Sequence, residues 1–190
     1  IHEENFFNIE WISKMKIRAS YGELGANFID SYSFLSTAYG PIPSVFGENQ
    51  IGQSSVMNGY VTKFAQENLT WEKSISKNVA LEMAFLNNKI TLTADYFYKK
   101  TSDILLQLPI PGIVGISTEP YVNAASVKNE GWEFALGYND QWGDWTFGAN
   151  VNFSKVKNEI LDLHGKDSWI TDWSINLEGH PINSYYGYVA

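Results

Sequence analysis

The chain has 190 residues, no cysteine and a formal net charge of -8, with 29 aromatic residues but only 13 lysines and arginines. Absent thiols exclude a disulfide framework, a thiolate zinc site and a cysteine nucleophile, and scattered cations exclude a nucleic-acid partner, which needs them clustered against phosphates. No run of about 20 apolar residues exists, so no transmembrane helix is encoded; the mean hydropathy of -0.22 does not bear on strands, because alternating strands average to mild polarity.

In chain order, residues 11–21 alternate, with Met15, Ile17, Ala19 and Tyr21 on one side and Lys14, Lys16, Arg18 and Ser20 on the other. Successive side chains of a strand point to opposite faces, so this reads as a strand with one basic face. Residues 31–39 read as a further, less regular strand with Tyr32 and Phe34 in phase. Pro41, Pro43, Gly47, Gly52 and Gly59 then break any ladder, which makes 40–66 a long loop. A hairpin follows over 69–106, turning tightly at Asn87 and Asn88, residue types that tolerate left-handed backbone. Residues 107–126, with Pro109, Pro111, Gly112, Gly115 and Pro120, form a second long loop. A second hairpin over 127–161 pivots within 139–144, a third loop covers 162–172, and 173–188 is interrupted at Gly179-His180-Pro181.

Each of the four hairpin strands has one face that is apolar at every position. That face reads Val79, Leu81, Met83, Phe85; Ile90, Leu92, Ala94, Tyr96, Tyr98; Trp132, Phe134, Leu136, Tyr138; and Trp145, Phe147, Ala149, Val151, Phe153. The next residue of the same parity is charged in every strand: Lys77, Lys100, Glu130 and Lys155. Four or five same-face residues cover roughly 8 to 10 positions, which is what a tilted strand needs to cross a bilayer core. Aromatic residues gather at both ends of the stripe, Phe85, Tyr138 and Trp145 by the turns and Tyr98, Trp132 and Phe153 toward the charged limit, as amphipathic rings do at membrane interfaces. The opposite face is small and polar, and only Glu82, Asp95, Lys99 and Glu133 are charged on it.

Short connections at 86–89 and 139–144 alternate with long ones at 107–126 and 162–172. This asymmetry belongs to outer-membrane barrels, whose periplasmic turns are short and extracellular loops long, so the long-loop side is assigned to the exterior. A soluble carbohydrate-binding β-sandwich, with its apolar face inward, is the alternative. Against it stand the scarcity of charge on the opposite face and long Pro- and Gly-bearing loops at one end only. A passive porin is a third reading. His2, His164 and His180 stand apart, and neither a phosphate loop nor a serine elbow is present, so the expectation is no enzyme and no catalytic, metal or cofactor site. The chain starts at Ile1 without a signal peptide and stops as a strand begins near Tyr188, so both ends read as cut.

Six segments, taken in order and spacing, resemble SusC/RagA-type TonB-dependent transporters, outer-membrane importers of glycans and peptides. They are Lys16-Ile17-Arg18-Ala19-Ser20-Tyr21-Gly22, Leu69-Thr70-Trp71-Glu72, Phe85-Leu86-Asn87-Asn88-Lys89, Asp95-Tyr96-Phe97-Tyr98-Lys99-Lys100-Thr101-Ser102-Asp103, Asn129-Glu130-Gly131-Trp132-Glu133 and Gly179-His180-Pro181-Ile182-Asn183-Ser184-Tyr185-Tyr186-Gly187-Tyr188. The resemblance implies an all-β antiparallel transmembrane barrel of about 22 strands, in the outer membrane of a Gram-negative bacterium. This chain would supply about six or seven strands over residues 1–190, while the plug domain, through which TonB acts, and the C-terminal closing strand would lie elsewhere. It implies outer-membrane lipid, a SusD-like surface lipoprotein and an oligosaccharide or peptide solute as partners. No motif marks a solute-contacting residue. Glu82, Asp95, Lys99 and Glu133 are expected inside the barrel against plug or water, and the loop aromatics Tyr39, Phe46, Tyr60, Trp169 and Trp173 are candidates to stack on sugars or pack on a lid, with plain loop packing the commoner role for any one of them.

Overall fold

The computed structural model describes residues 9, 11–33, 35–45, 55–63, 66–107, 112–115, 118–170 and 173–187. Its frame is a five-stranded sheet in the order β1 (Ile12–Ala26), β4 (Glu72–Phe85), β5 (Ile90–Gln107), β6 (Tyr121–Trp142) and β7 (Trp145–Asp162). Each strand lies beside the next in this order, joined by a turn or a long excursion, which is up-and-down topology.

The registers reproduce the alternation. Across β4 and β5, Val79 faces Tyr96, Leu81 faces Ala94 and Met83 faces Leu92, while Ala80 faces Asp95 and Glu82 faces Thr93. Across β6 and β7, Phe134 faces Phe153 and Leu136 faces Val151, while Glu133 faces Ser154. The apolar residues of neighbouring strands therefore share one side of the sheet, and a slip of one residue would send all of them to the other.

The short connections form at one end of this sheet. Asn87 and Asn88 take φ of 56° and 66°, as their residue types suggest, and Leu86 joins them at 50°. The second hairpin closes more tightly than the 139–144 span implies: residues 139–142 remain in the ladder, Trp142 faces Trp145, and Gly143, at φ 60°, opens a two-residue turn. The amide N–H of Leu86 donates to the Trp11 carbonyl at 3.2 Å, which sets the first turn level with the start of β1, and that of Asn139 to the Lys89 carbonyl at 2.8 Å, so that residues 139–142 carry the second turn past the first.

Of the seven stretches with strand character, five make this sheet. Residues 31–33 form a turn with Tyr32 at φ 63°, so the strand expected over 31–39 begins only at Thr37. The expected loop 40–66 is corrected too: β2 (Thr37–Val45) and β3 (Ser55–Lys63) pair as a separate antiparallel hairpin, with a register irregularity between Tyr39 and Ile42. Pro41 fits because it falls within that irregularity, and Pro43 because, among the described residues, β2 pairs with β3 alone and leaves its other side free of a ladder. Strands β5 and β6 also run further than the apolar stripe, over 18 and 22 residues or about 60 and 70 Å of extended chain, so that 121–126 is strand and not loop.

By contact density the described chain forms two units. One holds β1, the greater part of β4, β5 and β6, and all that follows; the other holds the β2–β3 hairpin and segments of 26–72 and 103–124. In the second unit Asn123 Nδ2 donates to the carbonyls of Thr70 (2.8 Å) and Asp103 (2.7 Å), and its Oδ1 accepts from Thr70 N at 2.9 Å. In the first, β8 (Ser168–Ile170), β9 (Ser174–Leu177) and β10 (Ser184–Tyr185) form a small sheet. The break at Gly179, with φ 80°, lies along β7: Gly179 N donates to Ile160 O, Ile160 N to His180 O, and Leu163 N to Glu178 Oε1. Ile160 and Leu163 are buried there.

Candidate functional site

The apolar face is open. Val79, Trp132, Phe147 and Phe153 are 50 to 60% exposed, and among the described residues no second sheet lies over them. The sandwich reading requires such a layer, so it is corrected. Rings tile the face instead: Tyr96 and Trp132 at 4.8 Å between centroids, Trp132 and Phe134 at 6.2 Å, Phe134 and Phe153 at 6.5 Å, Tyr138 and Phe147 at 6.0 Å.

Both ends of this face are charged. At the turn end, Lys89 Nζ lies 2.7 Å from Asp140 Oδ1, and the Tyr138 hydroxyl donates to Asp140 Oδ2 at 3.1 Å. Asp140 shares the parity of Trp132 to Tyr138, and reading 139–144 as the pivot hid it. At the long-loop end, Lys77 stands opposite Tyr98, with its Nζ 5.9 Å from the ring centroid, and Lys155 stands opposite Trp132. Beyond them Lys128 bridges Glu130 (3.2 Å) and Glu159 (3.3 Å), and Lys157 pairs with Glu159 at 2.7 Å. These groups lie past the apolar run. The hydrogen bond from Lys157, then that from Lys128, holds the Glu159 carboxyl below its ordinary range. The hydrogen bond of Lys128 to Glu130, reinforced by Glu159, raises its ammonium above the ordinary value despite opposing desolvation.

The polar face carries a second network across three strands. Arg18 Nη1 donates to Glu82 Oε1 at 2.8 Å and Nη2 to Asp95 Oδ1 at 3.3 Å; Asn78 Nδ2 adds a bond to Asp95 at 3.4 Å, and Lys16 lies 3.9 Å from Glu82. The sheet thus joins two of the four charged groups expected on this face. The cation that joins them is visible in the alternation of β1 but not its partners, because strand adjacency is a long-range fact. Lys99, opposite Ser76, and Glu133, opposite Ser154, stand outside the cluster. Glu133, Asp95, Thr93, Asn152 and Ser154 line a groove of about 300 Å³.

Small residues on this face have a packing reason. A Cβ on Gly131 would meet the Phe97 ring at 2.9 Å and the Lys155 carbonyl closer still, so the ring lies directly over the glycine.

Tyr39 and Tyr60 are cross-strand partners in β2–β3, and Phe46 lies outside the described residues. Lys166 Nζ sits 5.9 Å from the Trp169 ring, whose Nε1 is buried without a hydrogen-bond partner among the described residues. Trp173 is 78% exposed. Among the described residues no three His, Asp or Glu side chains group as metal ligands.

The family model for the TonB dependent receptor-like β-barrel matches residues 7–187. TonB-dependent receptor P3 of Formosa agariphila is 33% identical over 199 residues, covering 98% of this chain and 19% of that protein. TonB-dependent receptor SusC of Bacteroides thetaiotaomicron is 31% identical over 174 residues, covering 88% of this chain and 17% of that protein. Among solved structures, the RagAB peptide importer in its closed-closed state superposes with a TM-score of 0.78 at 26% identity, covering 97% of this chain and 20% of that one. The chain therefore spans about a fifth of the length of the relatives it matches.

Proposed function

The chain belongs to the TonB-dependent receptor-like β-barrel family, and from that premise we propose that it is a stretch of barrel wall in an outer-membrane active importer of oligosaccharides or peptides. The single observation that carries the reading is the apolar face, uncovered over the height of a bilayer and closed at both ends by charge. In lipid every backbone polar group must be paired within the protein, and a wall of antiparallel strands whose edges are paired by the rest of a closed barrel meets that demand.

On this reading residues 1–190 form part of the barrel, and the plug domain and the closing strand belong to the rest of the parent protein. Transport then involves no covalent chemistry here. TonB acts through the plug, a SusD-like lipoprotein covers the long-loop side, and the polar face offers hydrogen-bonding surface of little bulk to whatever fills the lumen. Arg18 compensates Glu82 and Asp95 within the wall, which leaves Glu133, in its groove, as the carboxylate presented to plug, water or solute. Peptide as a solute class is supported by the RagAB peptide importer among the structural neighbours.

The test is deletion of the parent gene, followed by growth on single oligosaccharides and single peptide mixtures as sole carbon or nitrogen source. Loss of growth on one class, with growth on the free monomers intact, is expected. Unchanged growth on every oligomer, with the parent protein recovered in the soluble fraction, would overturn the proposal.

A further inference from the structure

Three contacts fix the register of β5 against β6. The Phe97 ring lies over Gly131, Thr91 Oγ1 sits 2.5 Å from where a Cβ on Gly137 would stand, and Asn139 N donates to Lys89 O. In that register Glu133 falls directly opposite Asp95 on the polar face, and like charges placed so repel. Arg18 and Asn78 compensate Asp95. Glu133 has no lysine or arginine within ion-pair distance among the described residues, and Lys99, on the same face two residues beyond Phe97, does not reach it.

A ring stands beside that free carboxylate. Over the height of the apolar stripe, Phe97 is the one aromatic residue on the polar face of the four hairpin strands. It leans onto Gly131, which precedes Glu133 by two and so shares its face. On the other side of Gly131, its partner in β7 is Val156, 56% exposed. Asp95, Asn152 and Ser154 line the groove of about 300 Å³ together with Glu133. Carbon, an uncompensated negative charge and neutral hydrogen-bonding groups therefore meet at one place on the wall. A neutral sugar would use the ring and the amide but leave the carboxylate without a counter-charge. A lysine or arginine side chain uses all three, its head on the carboxylate and its methylene stem along ring and valine.

We propose that Phe97 and Glu133 form a site for the cationic side chain of a peptide solute, with its ammonium or guanidinium group on Glu133, its flank against the Phe97 ring, and Asn152 and Ser154 hydrogen-bonding the peptide beside it. The proposal rests on the reading of the polar face as the lumen wall of an importer, and it names basic peptides as the solute class for that wall. Gly131 is part of the site, because any side chain there would meet the ring and lift it away from the strand. Arg18 is part of it indirectly: by taking up Asp95 it leaves Glu133 as the carboxylate that an incoming cation neutralises.

The test uses the full-length parent protein in uncharged detergent and two tripeptides, Ala-Lys-Ala and Ala-Gln-Ala, both N-acetylated and C-amidated so that they differ by one charge, with affinity read by titration calorimetry. The lysine peptide is expected to bind about tenfold more tightly, an advantage that shrinks in high salt. Glu133→Gln brings the two peptides to parity. Phe97→Leu, which keeps apolar bulk but removes the ring face, loses about threefold of the preference, and Asp144→Asn, in the turn, leaves it unchanged. Should Phe97→Leu not fold, Glu133→Gln, at an exposed position, decides alone. Equal binding of the two peptides by the wild type, or a preference surviving in Glu133→Gln, overturns the proposal. So does equal binding together with a Glu133→Gln variant that makes cells newly sensitive to a large antibiotic, which would give the carboxylate to the plug. In each of these cases peptide growth that still depends on the parent gene keeps the importer reading. Peptide growth independent of the gene, with neither tripeptide bound, overturns both.

Discussion

Glu159 shows how a single group sets a pH dependence that can be measured. Its carboxyl, held down by Lys157 and Lys128, stabilises the fold above its ordinary pKa of 4.5, and that contribution is lost as pH falls through the lower folded value. Lys128, raised above 10.5, contributes below that value, and its share is lost as pH rises through the higher folded one. The pair therefore gives a plateau with an acid and an alkaline limb. Glu159→Gln in the full-length protein should lower the melting temperature at neutral pH by about a degree, since exposed pairs contribute little, and should flatten the acid limb. Melting curves followed by heat-dependent gel migration from pH 3 to 8 would check this; an acid limb of unchanged depth in the variant would contradict it. How much of the chemistry could be read beforehand also shows at this scale. The parity of Glu82 and Asp95 follows from period-two alternation, which is local. Their joint contact with Arg18 depends on β1 lying beside β4, some 60 residues later in the chain, and no local signal carries that. Asp140 was hidden for a different reason: polar residues before Gly143 resemble a loop, although the ladder continues through them to Trp142.

At the scale of elements, the long strands were legible because a sheet with two unlike environments must write its period into the sequence. The β2–β3 hairpin was not, because Pro41 and Pro43 signal a break in a regular ladder, whereas Pro41 falls in a register irregularity and β2 is paired on one side only among the described residues. Strands β8 to β10, of two to four residues, are too short to show a period at all. The two faces of β6 give the matching experiment. Leu136 lies mid-run on the apolar face and is 49% exposed, while its neighbour Ala135 lies on the polar side. Leu136→Arg in the full-length protein should cost about 2–4 kcal/mol on folding into lipid vesicles, and Ala135→Arg less than about 1 kcal/mol. Denaturant titrations of vesicle-inserted protein would measure both. Equal penalties would mean that the two faces do not meet lipid and lumen respectively.

At the scale of the whole molecule, a sheet that is not closed within the described residues faces two problems at once. Strands β1 and β7 stand at its margins, each with backbone donors and acceptors directed away from the ladder, apart from the stretch of β7 bonded by residues 179–182. Unpaired strand edges recruit other chains. Between those edges lies the open apolar face, and β6 and β7 alone expose Trp132, Leu136, Trp142, Trp145, Val151 and Phe153 by about half or more. In a closed barrel the edges pair and lipid covers the face; in buffer neither happens, and a contiguous apolar patch of this extent drives association. Residues 1–190 expressed alone should therefore accumulate as insoluble aggregates, recovered only in denaturant, whereas the full-length protein should partition into detergent and migrate as a compact, heat-sensitive band. Sedimentation of the isolated segment in detergent-free buffer decides the matter. A cooperatively unfolding monomer would show that the apolar face is satisfied by protein, and with it the assignment of that face to lipid would fail.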